Sequence, residues 1–200
     1  MKRLLLVRHG ESEWNALRRL QGQADIDLSP AGEAQAEALA GTVRRLAPDR
    51  VLTSDLLRAR RTAALLGYRD AVAESGLREV HVGDWTGRAI VDIVAEEPLA
   101  YRGWRAGEQA PPGGELWADF VARTAGVVAP AMEAADRLLV VCHGGVIRAL
   151  LQSLLGLEPR RIIPVGPGSL SILARKSGET AFRLELFNYA PGGPILDAPD

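Results

Sequence analysis

Three short segments concentrate arginine and histidine directly after apolar runs. Arg8-His9-Gly10 follows Leu4–Val7, the segment from Ser54 to Arg58 follows Val51-Leu52-Thr53, and His143-Gly144 follows Leu138–Val141. A neutral imidazole is a nucleophile, and a guanidinium holds phosphate oxygens in a two-pronged grip without losing its charge. Glu79, in the run Leu77–Gly87, is the candidate acid. Phosphoryl transfer needs this set: an in-line nucleophile, cations around the nonbridging oxygens, and a proton for the leaving oxygen. Uncatalysed phosphate monoesters are so inert that acceleration reaches about 10²¹-fold, which no single group supplies. His9 is the candidate nucleophile, and the charges of Arg8 and Arg58 are expected to lower its pKa and keep it neutral. Arg58 is expected in the first turn of a helix, whose N-terminus adds positive potential. His143, between a buried strand and a helix start, is placed to hold a further oxygen.

The elements that must position these groups are legible as periodicity. Leu4–Val7 and Leu138–Val141 are continuous apolar runs of the kind buried on both faces of a parallel sheet. Ser29-Pro30 is a helix start, followed by Ala36, Leu39, Ala40, Val43 and Leu46 at helical spacing until Pro48. Ser54 reads as the cap of the next helix, with Leu56, Ala59, Ala63 and Leu66 on one face and Gly67 at its end. Residues 89–134 read as mostly helical, broken at Gly107–Gly114, and Gly144-Gly145 opens a helix that ends before Gly156. Ser169–Ala174 and Ala181–Phe187 read as late strands, and Pro191–Asp200 as irregular. This alternation predicts an α/β fold, a three-layer α/β/α sandwich with a mostly parallel central sheet. One domain over residues 1–200 is expected, with a lid-like helical insertion at about 88–115. In such sheets, sites form where loops leave the C-terminal ends of strands, and all three Arg/His segments fall there.

Composition narrows the partners. A net charge of −1 over 200 residues gives no reason to expect nucleic acid or an anionic membrane. A local arginine cluster can still bind a small anion. The single cysteine, Cys142, excludes an intramolecular disulfide. The apolar run before Arg8 is shorter than the roughly 7–15 residues of a signal sequence, and no stretch approaches the ~18 of a membrane span. A cytoplasmic protein is expected.

The run Arg8-His9-Gly10-Glu11-Ser12-Glu13-Trp14-Asn15 resembles the signature of the histidine phosphatase superfamily, also called phosphoglycerate mutase-like. The resemblance continues through Gln21-Gly22-Gln23, Leu28-Ser29 with Gly32, Ser54–Ala59 with Thr62, Glu79–Gly87, Gly113-Gly114-Glu115 and Val141–Gly145. It implies that His9 is the phosphorylated nucleophile and Glu79 the proton donor. It implies a phosphate pocket of Arg8, Arg58 and His143 with Gly144 beside them, and Asn15, Gln23 and Glu115 as substrate contacts. Glu115 reads equally well as the start of the next helix. Val82 and Thr86 depart from the usual pattern, where an aromatic and a glutamate are common. Only the 25 residues 88–112 separate Gly87 from Gly113, and the family's mutases carry a longer insertion there, so hydrolysis is favoured over phosphoglycerate mutase-type transfer. Glu79–Gly87 and the start of the chain are most similar to broad-specificity phosphatases and glucosyl-3-phosphoglycerate phosphatases. In the lid, Arg102, Trp104 and Arg105 are placed to meet a carboxylate or sugar. The resemblance implies no cofactor and no metal, a small phosphate ester as substrate, and a homodimer as a possible assembly.

Three rival readings carry less. Cys142-His143-Gly144-Gly145-Val146-Ile147-Arg148 fits Cys-x5-Arg, the loop of thiol-dependent phosphatases. It leaves Arg8, His9, Arg58 and Glu79 unexplained, so Cys142 is expected to be a small buried residue. His9, His81 and His143 would suffice for zinc, but phosphate chemistry already accounts for two of them. A non-catalytic phospholigand binder would not need the complete set of nucleophile, arginines and acid. Trp14, Trp85 and Trp117 are expected to pack.

Overall fold

The structure, a computed structural model, describes residues 1–193; the rest of the tail expected to be irregular lies outside the described residues. Six strands form one sheet: β1 (Lys2–Arg8), β2 (Arg50–Ser54), β3 (Val72–Glu74), β4 (Arg137–Cys142), β5 (Leu170–Arg175) and β6 (Arg183–Tyr189). Their order is β3-β2-β4-β1-β5-β6. β1 pairs parallel to β4, and β2 parallel to both β3 and β4, whereas β5 runs antiparallel to β1 and β6 antiparallel to β5. The sheet is therefore mixed, parallel through its first four strands.

Side chains alternate across the pleat and divide the core in two. Leu4, Leu6, Leu138, Val140 and Cys142 face one side, and Leu5, Val7, Leu139 and Val141 the other. Helices α2 (Pro30–Leu46) and α3 (Leu57–Leu65) cover the second face through Leu39, Val43, Ala59 and Ala63. Helices α6 (Trp117–Glu133) and α7 (Gly144–Leu155) cover the first through Phe120, Val128, Val146 and Leu150. α1 (Glu13–Ala16) is a single turn, and α4 (Ile90–Glu96) and α5 (Pro98–Ala106) form the insertion between Glu79 and α6. Here Trp85, Tyr101 and Trp104 cluster, with Trp85 and Trp104 edge to face at 5.8 Å.

α2 starts as its sequence predicts, with Ser29 accepting the Gly32 N–H and Pro30 in the first turn. α3 does not. Ser54 ends β2, and its Oγ accepts the Leu56 N–H at 3.3 Å, so the helix begins three residues later. The cap comes from a distant loop instead, where Asp25 Oδ1 accepts the Leu57 N–H at 2.6 Å. α7 ends as expected at Gly156, which has a φ of +68°. Among the described residues no helix is long and apolar enough to cross a membrane.

Candidate active site

β1 and β4 end side by side, with Arg8 opposite Cys142, so the chain turns into Arg8-His9-Gly10 and His143-Gly144 at the same rim. The His9 N–H donates to Cys142 O at 2.9 Å, and the Gly168 N–H donates to His9 O at 3.0 Å. Gly10 N–H donates to Thr62 Oγ1, which itself donates to Arg58 O, joining the first loop to α3. A Cβ at Gly10 would stand 2.2 Å from Gly32 O, so this backbone crossing admits only glycine.

His9 is 3% exposed. Its Nδ1 lies 2.6 Å from Gly10 O, which can only accept, so Nδ1 carries the proton. Its Nε2 faces Arg58 Nε at 3.3 Å, which can only donate, so Nε2 holds the lone pair. Both neighbours select the same neutral tautomer. Burial first, then the charges of Arg58 and Arg8, hold the imidazole well below its ordinary pKa.

Arg58, 1% exposed, is fixed by Nη1 on Ala24 O at 2.7 Å and Nη2 on Gly22 O at 2.8 Å. Arg8 donates from Nη1 to Val165 O at 2.6 Å, and its guanidinium passes beside Gly144. Burial brings both guanidinium groups down to about 10, which leaves them charged at neutral pH. His143 is fully buried, meets the His9 ring edge to face at 5.1 Å, and pairs its Nε2 with Ser54 Oγ at 2.8 Å. Its Nδ1 is buried without a partner. Burial first, then the charges of Arg58 and Arg8, keep this ring neutral as well.

Glu79 reaches the site from the loop before the insertion. Its Oε2 accepts the Gly145 N–H at 2.9 Å, in the first turn of α7, and its Oε1 accepts the Val80 N–H at 2.8 Å. A Cβ on Gly145 would sit 2.1 Å from Glu79 Oε1, so glycine is what lets the acid approach. Arg8, His9, Asn15, Arg58, Glu79 and Gly144 line one cavity of about 50 Å³. At roughly 10–15 Å³ per water-sized sphere, that is room for a few waters or one tetrahedral oxyanion. Asn15 is oriented by a capping box in which its Oδ1 accepts the Ser12 N–H and its own N–H donates to Ser12 Oγ.

Two expected substrate contacts stand elsewhere. Gln23 and Glu115 are not among the residues lining this cavity, and His143 stands behind the wall against the His9 ring without lining it. Gln23 Nε2 donates to Glu79 O at 3.2 Å, and Glu115 pairs with Arg123. Trp117, expected only to pack, lines the cavity, as does Trp104. Arg102 and Arg105 line an adjoining outer groove of about 1090 Å³ that shares Arg148 and Pro164 with the inner cavity. The Cys142 thiol is fully buried, and burial pushes its pKa up, opposite to what a thiolate nucleophile needs. Arg148 donates to Arg105 O and Pro159 O. His81 is exposed and accepts the Gly83 N–H, and no three His, Cys, Asp or Glu side chains among the described residues are grouped as metal ligands.

The family model of the Histidine phosphatase superfamily (branch 1) matches residues 4–189. The glucosyl-3-phosphoglycerate phosphatase of Mycolicibacterium vanbaalenii is 39% identical over 170 residues, covering 78% of this chain and 76% of the relative. A probable phosphoglycerate mutase GpmB of Salmonella paratyphi C is 36% identical over 168 residues, with the same coverage. Among solved structures, a mycobacterial glucosyl-3-phosphoglycerate phosphatase in complex with VO3 superposes with a TM-score of 0.84 at 36% identity, over 94% of this chain and 99% of that one. The alpha-ribazole phosphatase of Shigella flexneri gives 0.80 at 28% identity, over 94% and 96%.

Proposed function

The chain belongs to branch 1 of the histidine phosphatase superfamily, and on that footing we propose that it hydrolyses a small phosphate monoester through a phosphohistidine formed on His9. The observation that carries this reading is the tautomer of His9. Its Nε2 lone pair accepts the Arg58 Nε–H at the wall of a cavity that His9 lines together with Arg8 and Arg58, both still charged. Nε2 attacks phosphorus in line with the ester bond, forming N–P as O–P breaks. The electron pair leaves on the alcohol oxygen, which takes the proton of the Glu79 carboxyl. Arg8, Arg58 and His143 stabilise the charge on the nonbridging oxygens, with Asn15 at the cavity wall. Water then attacks the phosphohistidine, gives its proton to the Glu79 carboxylate, and releases phosphate with His9 neutral again.

For the natural substrate, the reading supported best is glucosyl-3-phosphoglycerate or a range of simple esters that includes it. The named relatives support the first, and the outer groove beside Arg148 offers space for a sugar-bearing alcohol. The probable mutase among the relatives keeps transfer to a phosphoglycerate as the second reading. A turnover panel of glucosyl-3-phosphoglycerate, 3-phosphoglycerate and simple esters, read as released phosphate, separates these. Free phosphate from glucosyl-3-phosphoglycerate at the highest kcat/KM is expected. Isomerised phosphoglycerate without free phosphate would establish the mutase, and equal rates on all esters would remove the specific substrate.

A further inference from the structure

Arg123, in the middle of α6, takes no part in lining the cavity, yet it makes more hydrogen bonds to the Glu79 loop than any residue of the site. Its Nη1 donates to Gly76 O at 3.0 Å and to Arg78 O at 2.9 Å, and its Nη2 donates to Glu79 O at 3.0 Å. The same guanidinium grips Glu115 through Nε on Oε1 at 2.6 Å and Nη2 on Oε2 at 2.9 Å. Glu115 closes the ring, because its Oε2 also accepts the His81 N–H and its own N–H donates to His81 O at 2.8 Å. The guanidinium carbon stands over the buried Phe120 ring, 4.7 Å from its centroid. One planar fork thus spans main-chain oxygens at 76, 78 and 79, with its counter-ion tied to 81.

The loop needs such a hold. Residues 75–87 carry only two short 3₁₀ turns, so no helix or strand ladder fixes the backbone of Glu79. Gly76 is pressed against α6, where a Cβ would meet Val127 at 2.5 Å, and the Glu79 carbonyl also accepts from Gln23 Nε2 at 3.2 Å. We infer that Arg123, with Glu115, is the positioning residue that sets the proton donor Glu79 over the leaving-group side of the site. Glu115 serves the reaction through this clamp. This rests on the reading of Glu79 as the acid.

Leaving-group dependence tests it. An acid matters for an alkyl phosphate, whose alkoxide is a poor leaving group, and little for p-nitrophenyl phosphate, whose phenolate leaves unaided. General acid catalysis contributes about 10²–10⁴-fold, and a misplacement of ~1 Å can cost about 10²-fold. Arg123→Met is expected to lower kcat/KM, which reports the phosphorylation step before the shared hydrolysis of the phosphohistidine, by about 10²-fold for an alkyl phosphate and by less than about 3-fold for p-nitrophenyl phosphate. Arg123→Lys does not restore it, since one ammonium cannot span the fork. Glu115→Gln, which keeps the shape and drops the charge, shows the same selectivity to a smaller degree and serves if Arg123→Met does not fold. A purely structural role would lower both substrates by the same factor; that result, or no loss, overturns the inference. Glu79→Gln run alongside separates the two readings. If it is selective and the Arg123 and Glu115 variants are not, the clamp alone is wrong. If Glu79→Gln shows no selectivity, the acid assignment fails and takes the clamp with it.

Discussion

Nε of Arg58 lies 3.3 Å from Nε2 of His9, while the other two nitrogens of the same guanidinium are fixed on the carbonyls of Ala24 and Gly22. The arginine therefore acts on the imidazole in two ways. Its donor selects the tautomer whose lone pair is on Nε2, and its charge opposes protonation there. An incoming phosphate oxygen would meet the same Nε–H that the imidazole releases as it attacks.

Arg58→Ala is expected to lower kcat for an aryl phosphate by about 10²–10³-fold, the usual effect of deleting one donor to a developing oxyanion. Arg58→Lys is expected to recover little, because an ammonium cannot hold Ala24 O, Gly22 O and the imidazole together. Steady-state kinetics with folded variants checks this. Recovery by lysine to within about 3-fold would mean that charge alone is needed, against the donor geometry described here.

Stability should depend on pH through the two buried histidines. Their folded pKa values are depressed, while the unfolded value is near 6.5. Below about 6.5 the unfolded chain binds protons that the folded one refuses, so stability rises with pH there and levels off above it. Urea unfolding at pH 5.5, 6.5 and 7.5 should show a loss between the middle and lowest values. His143→Asn should flatten that slope. A stability that stays constant or grows from pH 6.5 to 5.5 would mean the rings are not held neutral.

Gly145→Ala places a methyl group where Glu79 Oε1 now sits. Since the atom met is the far end of a side chain, the acid moves more readily than the backbone does. A fall of about 10²-fold in kcat with alkyl phosphates is expected, with the melting temperature within about 4 °C of wild type. Full activity in Gly145→Ala would show that the contact of Glu79 with the start of α7 is dispensable.

Cys142→Ala should retain activity within about 3-fold, since the thiol is buried away from solvent and its pKa is raised. Near-total loss would restore the thiolate reading of Cys142 and Arg148.

What the sequence made legible follows from where the signal is local. β1 and β4 are continuous apolar runs, and α2 begins on its own Ser-Pro, so each element and the rim between them can be read from neighbouring residues. The strand β3 (Val72–Glu74) escaped, because it has three residues and two of them are exposed, which leaves no apolar pattern. The start of α3 was misread because its cap, Asp25, is 32 residues away in sequence. Arg123 was missed for a related reason: an arginine on an amphipathic helix looks like a solvated charge until the loop at 76–81 is folded against it. Gln23 and Glu115 carried motif positions, but the structure puts their side chains on the Glu79 loop and Arg123.

The central claim is a covalent phosphoryl group on His9. The direct measurement is turnover of an aryl phosphate in EDTA by wild type and His9→Ala, with a parallel quench of the enzyme in labelled substrate. A phosphohistidine on His9 gives EDTA-resistant hydrolysis, an acid-labile, base-stable phosphoprotein in the wild type, and neither turnover nor label in His9→Ala. Turnover that survives His9→Ala, or that EDTA abolishes, would contradict it.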